Sequence, residues 1–321
     1  MKKTILSIFL SLAVLCVFGQ ADQIVSNGIK IAYESIGKPD NQPIILIQGT
    51  GEPLTSWPME LCQELADAGY RVIRFDNRDT GLSTQLDSLG PPDWAKLAPF
   101  VNKCDPAPLP YTLADMSRDV IGLMDGLNID KAHIVGASMG GAIAQLIAMN
   151  YPMRVLTLTT IAASSGDPNL PEPTPLASQT MSTPPPSTTD KEAQVRYLVN
   201  AYRALGSIDS DASLRERATL HIDRAWYPDG TARQIAAIMI ADNCDRRDDL
   251  EKIQVPTLVI HGDIDPLVSP EAANQIASAI KGSGLYMING MGHDLSARFI
   301  IPIVDLIVRN AKKRPTDQAL K

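Results

Sequence analysis

The stretch HIVGASMGG, His133–Gly141, places Ser138 between glycines two residues away on either side. A serine hydroxyl is a poor nucleophile at neutral pH. It attacks a carbonyl when a base takes its proton and a third group orients the base. Ser138 stands where a strand-like run, HIVGA, gives way to a helix-like run starting at Met139. A tight strand–turn–helix connection there would lift the hydroxyl above a sheet, and Gly136 and Gly140 would keep side chains out of the turn. Read without chemistry, the same string is the polar start of a helix, so distant residues have to supply the partners.

The chain has four histidines. His133 begins the strand leading to Ser138, about five residues below it, and suits a structural role. His221 falls in a helical stretch and is expected at the surface. His261 ends an apolar strand just before Gly262 and suits a structural hydrogen bond. His293, in NGMGHD, follows the last strand and is flanked by Gly290 and Gly292. That is the C-terminal edge of a sheet, where α/β folds bind ligands, so His293 is the expected base. The acid should lie between serine and histidine in chain order. HGDIDPLVS offers Asp265, stiffened by Pro266, with Asp263 as the alternative; either could instead serve a turn or a helix cap. Asp294 adjoins the histidine in sequence and is poorly placed to face its ring.

Attack on a carbonyl creates an oxyanion that needs backbone donors. These are expected at Met139, after the nucleophile, and at Thr50 in the loop QGTGEP, where Gly49 and Gly51 allow close approach. As a nucleotide loop GTGEPL lacks a third glycine, and no His, Cys, Asp and Glu spacing matches a metal-ligand set. No cofactor and no metal are expected.

Positioning these groups requires a sheet. Strand-like runs at Ile29–Gly37, Pro43–Gly49, Arg71–Arg78, Ala132–Ser138, Val155–Ala163, Val255–Gly262 and GLYMING alternate with helical patterns. The helix over Thr112–Leu127 carries a threonine cap with Asp115 three residues on. Continuous apolar runs suit parallel strands covered on both faces, and the rhythm predicts a doubly wound α/β core. It breaks after Ser165. A proline- and serine-rich tract leads into helical patterns from Lys191 to about Asn243 before the strands resume. The expected organisation is therefore a signal peptide over residues 1–21, core over 22–165, a helical cap or lid insertion over 166–250, and core again over 251–321. The proline tract reads as a linker or as one wall of the lid. Within the lid, Met181, Trp226, Tyr227 and Met239 either line an apolar pocket or pack the lid itself.

Lys2 and Lys3 precede the apolar run Ile5–Phe18, which is shorter than the roughly 20 residues that span a bilayer. Gly19 and Ala21 suit a cleavage site, so export to a periplasmic or extracellular space is expected. A lipoprotein signal using Cys16 would need a small residue where Leu15 stands. A net charge of −7 and no basic stripe argue against nucleic acid or an anionic membrane as partner. Without the leader, Cys62, Cys104 and Cys244 remain; one bridge is possible in an oxidising compartment, its pairing unreadable, and buried thiols are the alternative.

The strings QGTG, FDNRDTGLS, VGASMGG, HGDIDPLV and GMGHD, in this order, resemble the α/β-hydrolase superfamily across nearly all of the chain after the leader. FDNRDTGLS, RQIAAIMIADNCDR, PTLVIHGDIDPLV and GMGHDL are similar to the esterases related to aclacinomycin methylesterase. The resemblance implies a mostly parallel twisted sheet with a helical lid, a Ser138–Asp265–His293 triad and hydrolysis of a small-molecule carboxylic ester. Asp76 and Arg78 match the family's strand-end turn, a structural feature. Gln48-Gly49 departs from the His-Gly of many members and leaves the second oxyanion donor open. The same fold also serves carbon–carbon bond hydrolysis, perhydrolysis and proline iminopeptidase-type cleavage, or ligand binding without catalysis. An aminopeptidase should present a carboxylate to an amine, and Glu172, Asp209 and Asp211 have no recognisable placement for that. Serine at position 138 disfavours the members that use an aspartate nucleophile.

Overall fold

A computed structural model of the chain describes residues 22–101, 103–105, 108–242 and 244–313. The leader expected over residues 1–21 lies outside them. Among the described residues eight strands form one sheet: β1 (Asp22–Ser26), β2 (Ile29–Ile36), β3 (Gln42–Ile47), β4 (Tyr70–Phe75), β5 (Ala132–Ala137), β6 (Val155–Ile161), β7 (Thr257–Gly262) and β8 (Gly284–Ile288). Their order is β1-β2-β4-β3-β5-β6-β7-β8. β1 and β2 pair antiparallel, as do β2 and β4, and every later pairing is parallel. The doubly wound core is thus joined by an antiparallel edge hairpin. β1 has no signal of its own beside the leader: Asp22 to Ser26 is short and mostly polar.

The helices are α1 (Met59–Asp67), α2 (Trp94–Leu97), α3 (Leu113–Gly126), α4 (Met139–Asn150), α5 (Pro175–Ser182), α6 (Lys191–Ala204), α7 (Asp211–Arg224), α8 (Pro228–Asp242), α9 (Arg247–Leu250), α10 (Pro270–Ala279) and α11 (Ile300–Ala311). α3 starts with the expected capping box: the Thr112 hydroxyl accepts from the Asp115 N–H, and the Asp115 carboxylate accepts from the Thr112 N–H. Alternate strand residues serve opposite faces. Ile45, Ile47, Ile73 and Ile134 pack with α3, α4 and α10. Ile44, Leu46, Val72 and Val135 pack with α1 and α11. Burying both faces is why the strand segments read as unbroken apolar runs.

Two features of this topology fix the site. After β3 the chain adds β4 on one side of it, then crosses to add β5 on the other. This reversal opens a crevice between the C-terminal ends of β3 and β5, the place where open α/β sheets bind ligands. The loop with Thr50 leaves β3 there, and Ser138 leaves β5. Second, helices α5 to α9 are inserted between β6 and β7. α6 and α7 share a small core of their own, with Val195, Leu198, Tyr202, Leu214 and Ala218 buried together. The proline-rich tract is not wholly irregular, since Pro175 opens α5 beneath a Thr174 cap.

Candidate active site

Ser138 adopts φ 53° and ψ −122°, a backbone conformation that non-glycine residues rarely hold and that costs of order 1–3 kcal/mol. The surrounding glycines explain how it is held. A Cβ on Gly136 would meet the backbone of Gly140 and Gly141, and one on Gly140 would meet the backbone of Ile47 and Gln48. The connection is therefore tight against both β5 and the end of β3, as the sequence spacing requires.

His293 bridges the other two groups. Its Nε2 lies 3.0 Å from Ser138 Oγ and its Nδ1 lies 2.8 Å from Asp265 Oδ2. An ionised carboxylate only accepts, so Nδ1 carries the proton and Nε2 is left free to accept from the serine hydroxyl. Asp265 is fixed in turn: Oδ1 accepts from the N–H groups of Leu267 and Val268, each at 2.9 Å. Burial would raise its pKa, but the His293 charge and hydrogen bond, with His261 close by, hold it well below the ordinary carboxylate range. Burial pushes His293 down, and the Asp265 charge and hydrogen bond reverse this, leaving its pKa above the ordinary value. Asp263 does something else: Oδ1 accepts from the Gly290 N–H at 2.7 Å, closing a turn between the two loops.

The loop after β3 runs along the serine. A Cβ on Gly49 would stand 3.2 Å from Ser138 Cβ. The Gly49 N–H is taken by Gln48 Oε1 at 2.9 Å and the Gly51 N–H by Gln234 Oε1 at 2.7 Å. The Thr50 N–H has no acceptor among the described residues, and Met139, first residue of α4, has no intrahelical acceptor. Those are the two N–H groups that the sequence reading names for an oxyanion. Gln48, where many family members have histidine, occupies its own neighbour's N–H and so leaves Thr50's as the unfilled one.

Two adjoining cavities meet here. The first contains Ser138, His293 and Thr50. The second is walled by Met181, Tyr197, Trp226 and Tyr227. Glu52 and Leu205 line both. Of the four insertion residues considered for a pocket, Met181, Trp226 and Tyr227 line it. Met239 does not and is 37% exposed. Part of the proline-rich tract forms a wall, through Thr180, Met181 and Pro185.

The remaining histidines divide. His133 is a buried structural group: Nδ1 lies 2.9 Å from Thr157 Oγ1, its ring meets Tyr70 edge-on, and burial pulls its pKa down to about 4. His261 Nε2 lies 2.9 Å from the Val268 carbonyl, the structural bond expected. His221 is not at the surface. It is buried on the inner face of α7, 3.6 Å from Glu52, beside the second cavity. A helical pattern locates the helix but not the side its histidine faces when both faces carry polar residues.

The family described as the alpha/beta hydrolase fold matches residues 42–297. The chain belongs to the α/β hydrolase family. It is 30% identical over 312 residues to rhodomycin D methylesterase from Streptomyces peucetius, covering 90% of this chain and 97% of that protein. This bears out the kinship with esterases of the aclacinomycin methylesterase type. It is 26% identical over 269 residues to a 2-hydroxy-6-oxononadienedioate/2-hydroxy-6-oxononatrienedioate hydrolase from Paraburkholderia xenovorans (strain LB400), covering 83% and 84% of the two chains. A meta-cleavage product hydrolase from Pseudomonas fluorescens IP01 shares the fold, with TM-score 0.70 and 22% identity over 90% of this chain and 96% of that one.

Within this α/β hydrolase, one polar group escaped the sequence reading. Glu52, Arg217, Asp294 and His221 converge at the junction of the cavities. Arg217 Nη1 lies 2.6 Å from Asp294 Oδ1, and its guanidinium stacks 3.8 Å over the Tyr202 ring. Burial would raise the Glu52 pKa, but His221 3.6 Å away, the Arg217 charge and the Ser56 hydroxyl bring it down to about 2. These residues come from three separate segments with no common spacing, and no motif announces them. The insertion's own acids lie elsewhere: Asp211 pairs with Arg203, and Asp209 accepts from the Ala297 N–H.

Proposed function

We propose that this chain is a cofactor-free serine hydrolase of carboxylic esters of small organic molecules. The observation that carries the reading is the continuous line of contacts from Ser138 Oγ through both nitrogens of His293 to Asp265, beside the unoccupied Thr50 and Met139 N–H groups. Ser138 Oγ attacks the ester carbonyl while its proton passes to His293 Nε2. Thr50 and Met139 N–H groups receive the oxyanion, and Asp265 stabilises the imidazolium. Collapse of the tetrahedral intermediate breaks the acyl–oxygen bond, and the imidazolium returns its proton to the leaving alcohol. Water, deprotonated by His293, then attacks the acyl-enzyme, and a second collapse frees the acid and restores the serine hydroxyl. The methylesterase relative supports an ester substrate. The insertion serves as the lid whose aromatic and thioether side chains receive the rest of the substrate.

A panel of methyl and p-nitrophenyl esters assayed on wild type and Ser138→Ala tests this. Turnover by the wild type that falls by at least about 10³-fold in the variant is expected. No turnover by the wild type, or a variant equally fast, overturns it. A ring-cleavage 2-hydroxy-6-oxodienoate belongs in the same panel, because the Paraburkholderia relative is named for that chemistry. We further propose export through residues 1–21. The Cys104–Cys244 disulfide supports an oxidising destination. A mature protein beginning at Asp22 is expected on N-terminal sequencing.

A further inference from the structure

Gln234 lies on α8, in the insertion, yet its side-chain amide is spent on the core. It is fully buried. Oε1 accepts from the Gly51 N–H at 2.7 Å, while Nε2 donates to the Arg78 carbonyl and to Thr80 Oγ1, each at 2.7 Å. The Arg78 carbonyl can only accept, and the Gly51 N–H can only donate. The amide therefore has one satisfied orientation, and flipping it would set donor against donor and acceptor against acceptor.

Gly51 is the third residue of the turn Gly49–Glu52, which the Glu52 N–H closes onto the Gly49 carbonyl at 3.4 Å. Its φ of +69° is the value a type II turn asks of that position. Type I and type II turns differ by a flip of the central peptide, here the one joining Thr50 to Gly51. The N–H of that peptide is the group Gln234 holds. The helix grips the same spot again through Thr231, whose side chain lies 2.8 Å from where a Gly51 Cβ would stand.

We propose that Gln234 is a positioning residue for the oxyanion hole: by holding the Gly51 N–H it pins the Gly49–Glu52 turn in place, and with it the preceding Gly49–Thr50 peptide whose N–H is to receive the developing oxyanion. It touches no substrate, being sealed beneath the loop. The inference rests on the ester-hydrolase reading for its catalytic consequence. Its structural content, that an insertion residue sets the conformation of a core loop, stands apart from it. The insertion also reaches the other two loops of the site. The Thr174 N–H donates to the Pro266 carbonyl at 2.8 Å, and the His293 N–H donates to the Leu205 carbonyl at 2.9 Å. Gln234 is the contact that bears on the oxyanion side.

The test uses Gln234→Met, which keeps the length and loses all three bonds, and Gln234→Asn, which keeps the chemistry but is one methylene too short to span both sides. Arg233→Met, which breaks a neighbouring insertion–core contact away from the loop, is the comparison. Rates are taken per active site, titrated with a fluorophosphonate and intact-mass readout. Both Gln234 variants should lose about 10- to 100-fold in kcat with KM within about threefold, part of the 10²–10³ that removal of an oxyanion donor costs. Affinity for a trifluoromethyl ketone should fall by a similar factor. Arg233→Met should keep its per-site kcat. Crystal structures of the Gln234 variants should show the Gly49–Glu52 turn rearranged and the Thr50 N–H displaced. A Thr50 N–H left in place, or an unchanged per-site kcat and ketone affinity despite a lower melting temperature, overturns the proposal. A displaced Thr50 N–H in an enzyme whose wild type cleaves no ester overturns the ester reading and leaves the positioning standing.

Discussion

His261 and Asp265 stand in a contact that the proposed reaction does not use: His261 Nε2 lies 3.2 Å from Asp265 Oδ2, the same oxygen that faces His293. His261 is fully buried, and its Nε2 also faces the Val268 carbonyl, so that nitrogen carries the proton. The histidine at the end of β7 thus supports the acid that ends up opposite the base. His261→Phe should cost roughly 1–3 kcal/mol of stability, the penalty for leaving the Val268 carbonyl without its donor. With Asp265 less firmly held, kcat should fall about tenfold, equivalent to about 1.4 kcal/mol. Denaturant unfolding and steady-state kinetics on one preparation check both.

The protonation of His293 sets a pH dependence. The proposed base must be neutral to act, and the Asp265 charge and hydrogen bond hold its pKa above the ordinary histidine value against burial. In kcat/KM the acid limb should therefore appear at a higher pH than an unperturbed histidine gives. Asp294 contributes to this by its negative charge. Asp294→Asn should move the limb to lower pH, and the movement is reinforced because Arg217 is left without its 2.6 Å partner. A pH–rate profile of the two proteins gives the sign directly. A limb that stays in place or moves upward would contradict the electrostatic account.

Arg233 and Asp79 form a fork-to-fork pair, Nε to Oδ2 and Nη2 to Oδ1, both 2.8 Å, with neither side chain reaching solvent. Removing one partner from a buried pair leaves a charge without compensation. Arg233→Met should destabilise by roughly 3–5 kcal/mol. The double variant with Asp79→Asn should cost less than the sum of the two single changes. Chemical denaturation of all three closes the cycle.

Cys104 and Cys244 are joined across 140 residues, tying the segment between β4 and α3 to the end of α8. Reduction, or Cys104→Ser, should remove roughly 2–4 kcal/mol. Cys62 is buried, and burial pushes its thiol up to about 11. In the mature protein a thiol-alkylating reagent should modify nothing in the native state and one cysteine after unfolding without reductant. Two or more labelled cysteines would exclude the disulfide.

Much of this was legible because it depends on local order. Ser138, Asp265 and His293 each follow an apolar strand and precede a loop, and parallel topology brings all such loops to one edge of the sheet. Asp265 could be favoured over Asp263 but not separated from it by spacing. The separation comes from the Gly290 turn that occupies Asp263. His221 was misplaced because the inner face of α7 mixes the apolar Leu214 and Ala218 with polar residues, His221 meeting Glu52 and Arg217 stacking on Tyr202. The Cys104–Cys244 pairing, the Glu52–Arg217–Asp294 cluster and the Gln234 contact share one reason for being missed. Each joins segments brought together by the insertion folding back over the sheet, and hydrophobic periodicity carries no information about which polar residues then meet.

The turn after β4 has a consequence for engineering. Asp76 holds Arg224 of α7 at 2.8 Å, Asp79 holds Arg233 of α8, and the Arg78 carbonyl and Thr80 hydroxyl hold Gln234. Four of the five residues of this turn, at the rim of the sheet, are thus the socket into which the inserted helices plug. Segments between β6 and β7 are an obvious target for exchange among relatives to alter substrate range. Here such a graft would arrive without its socket, and residues 76–80 would have to travel with it.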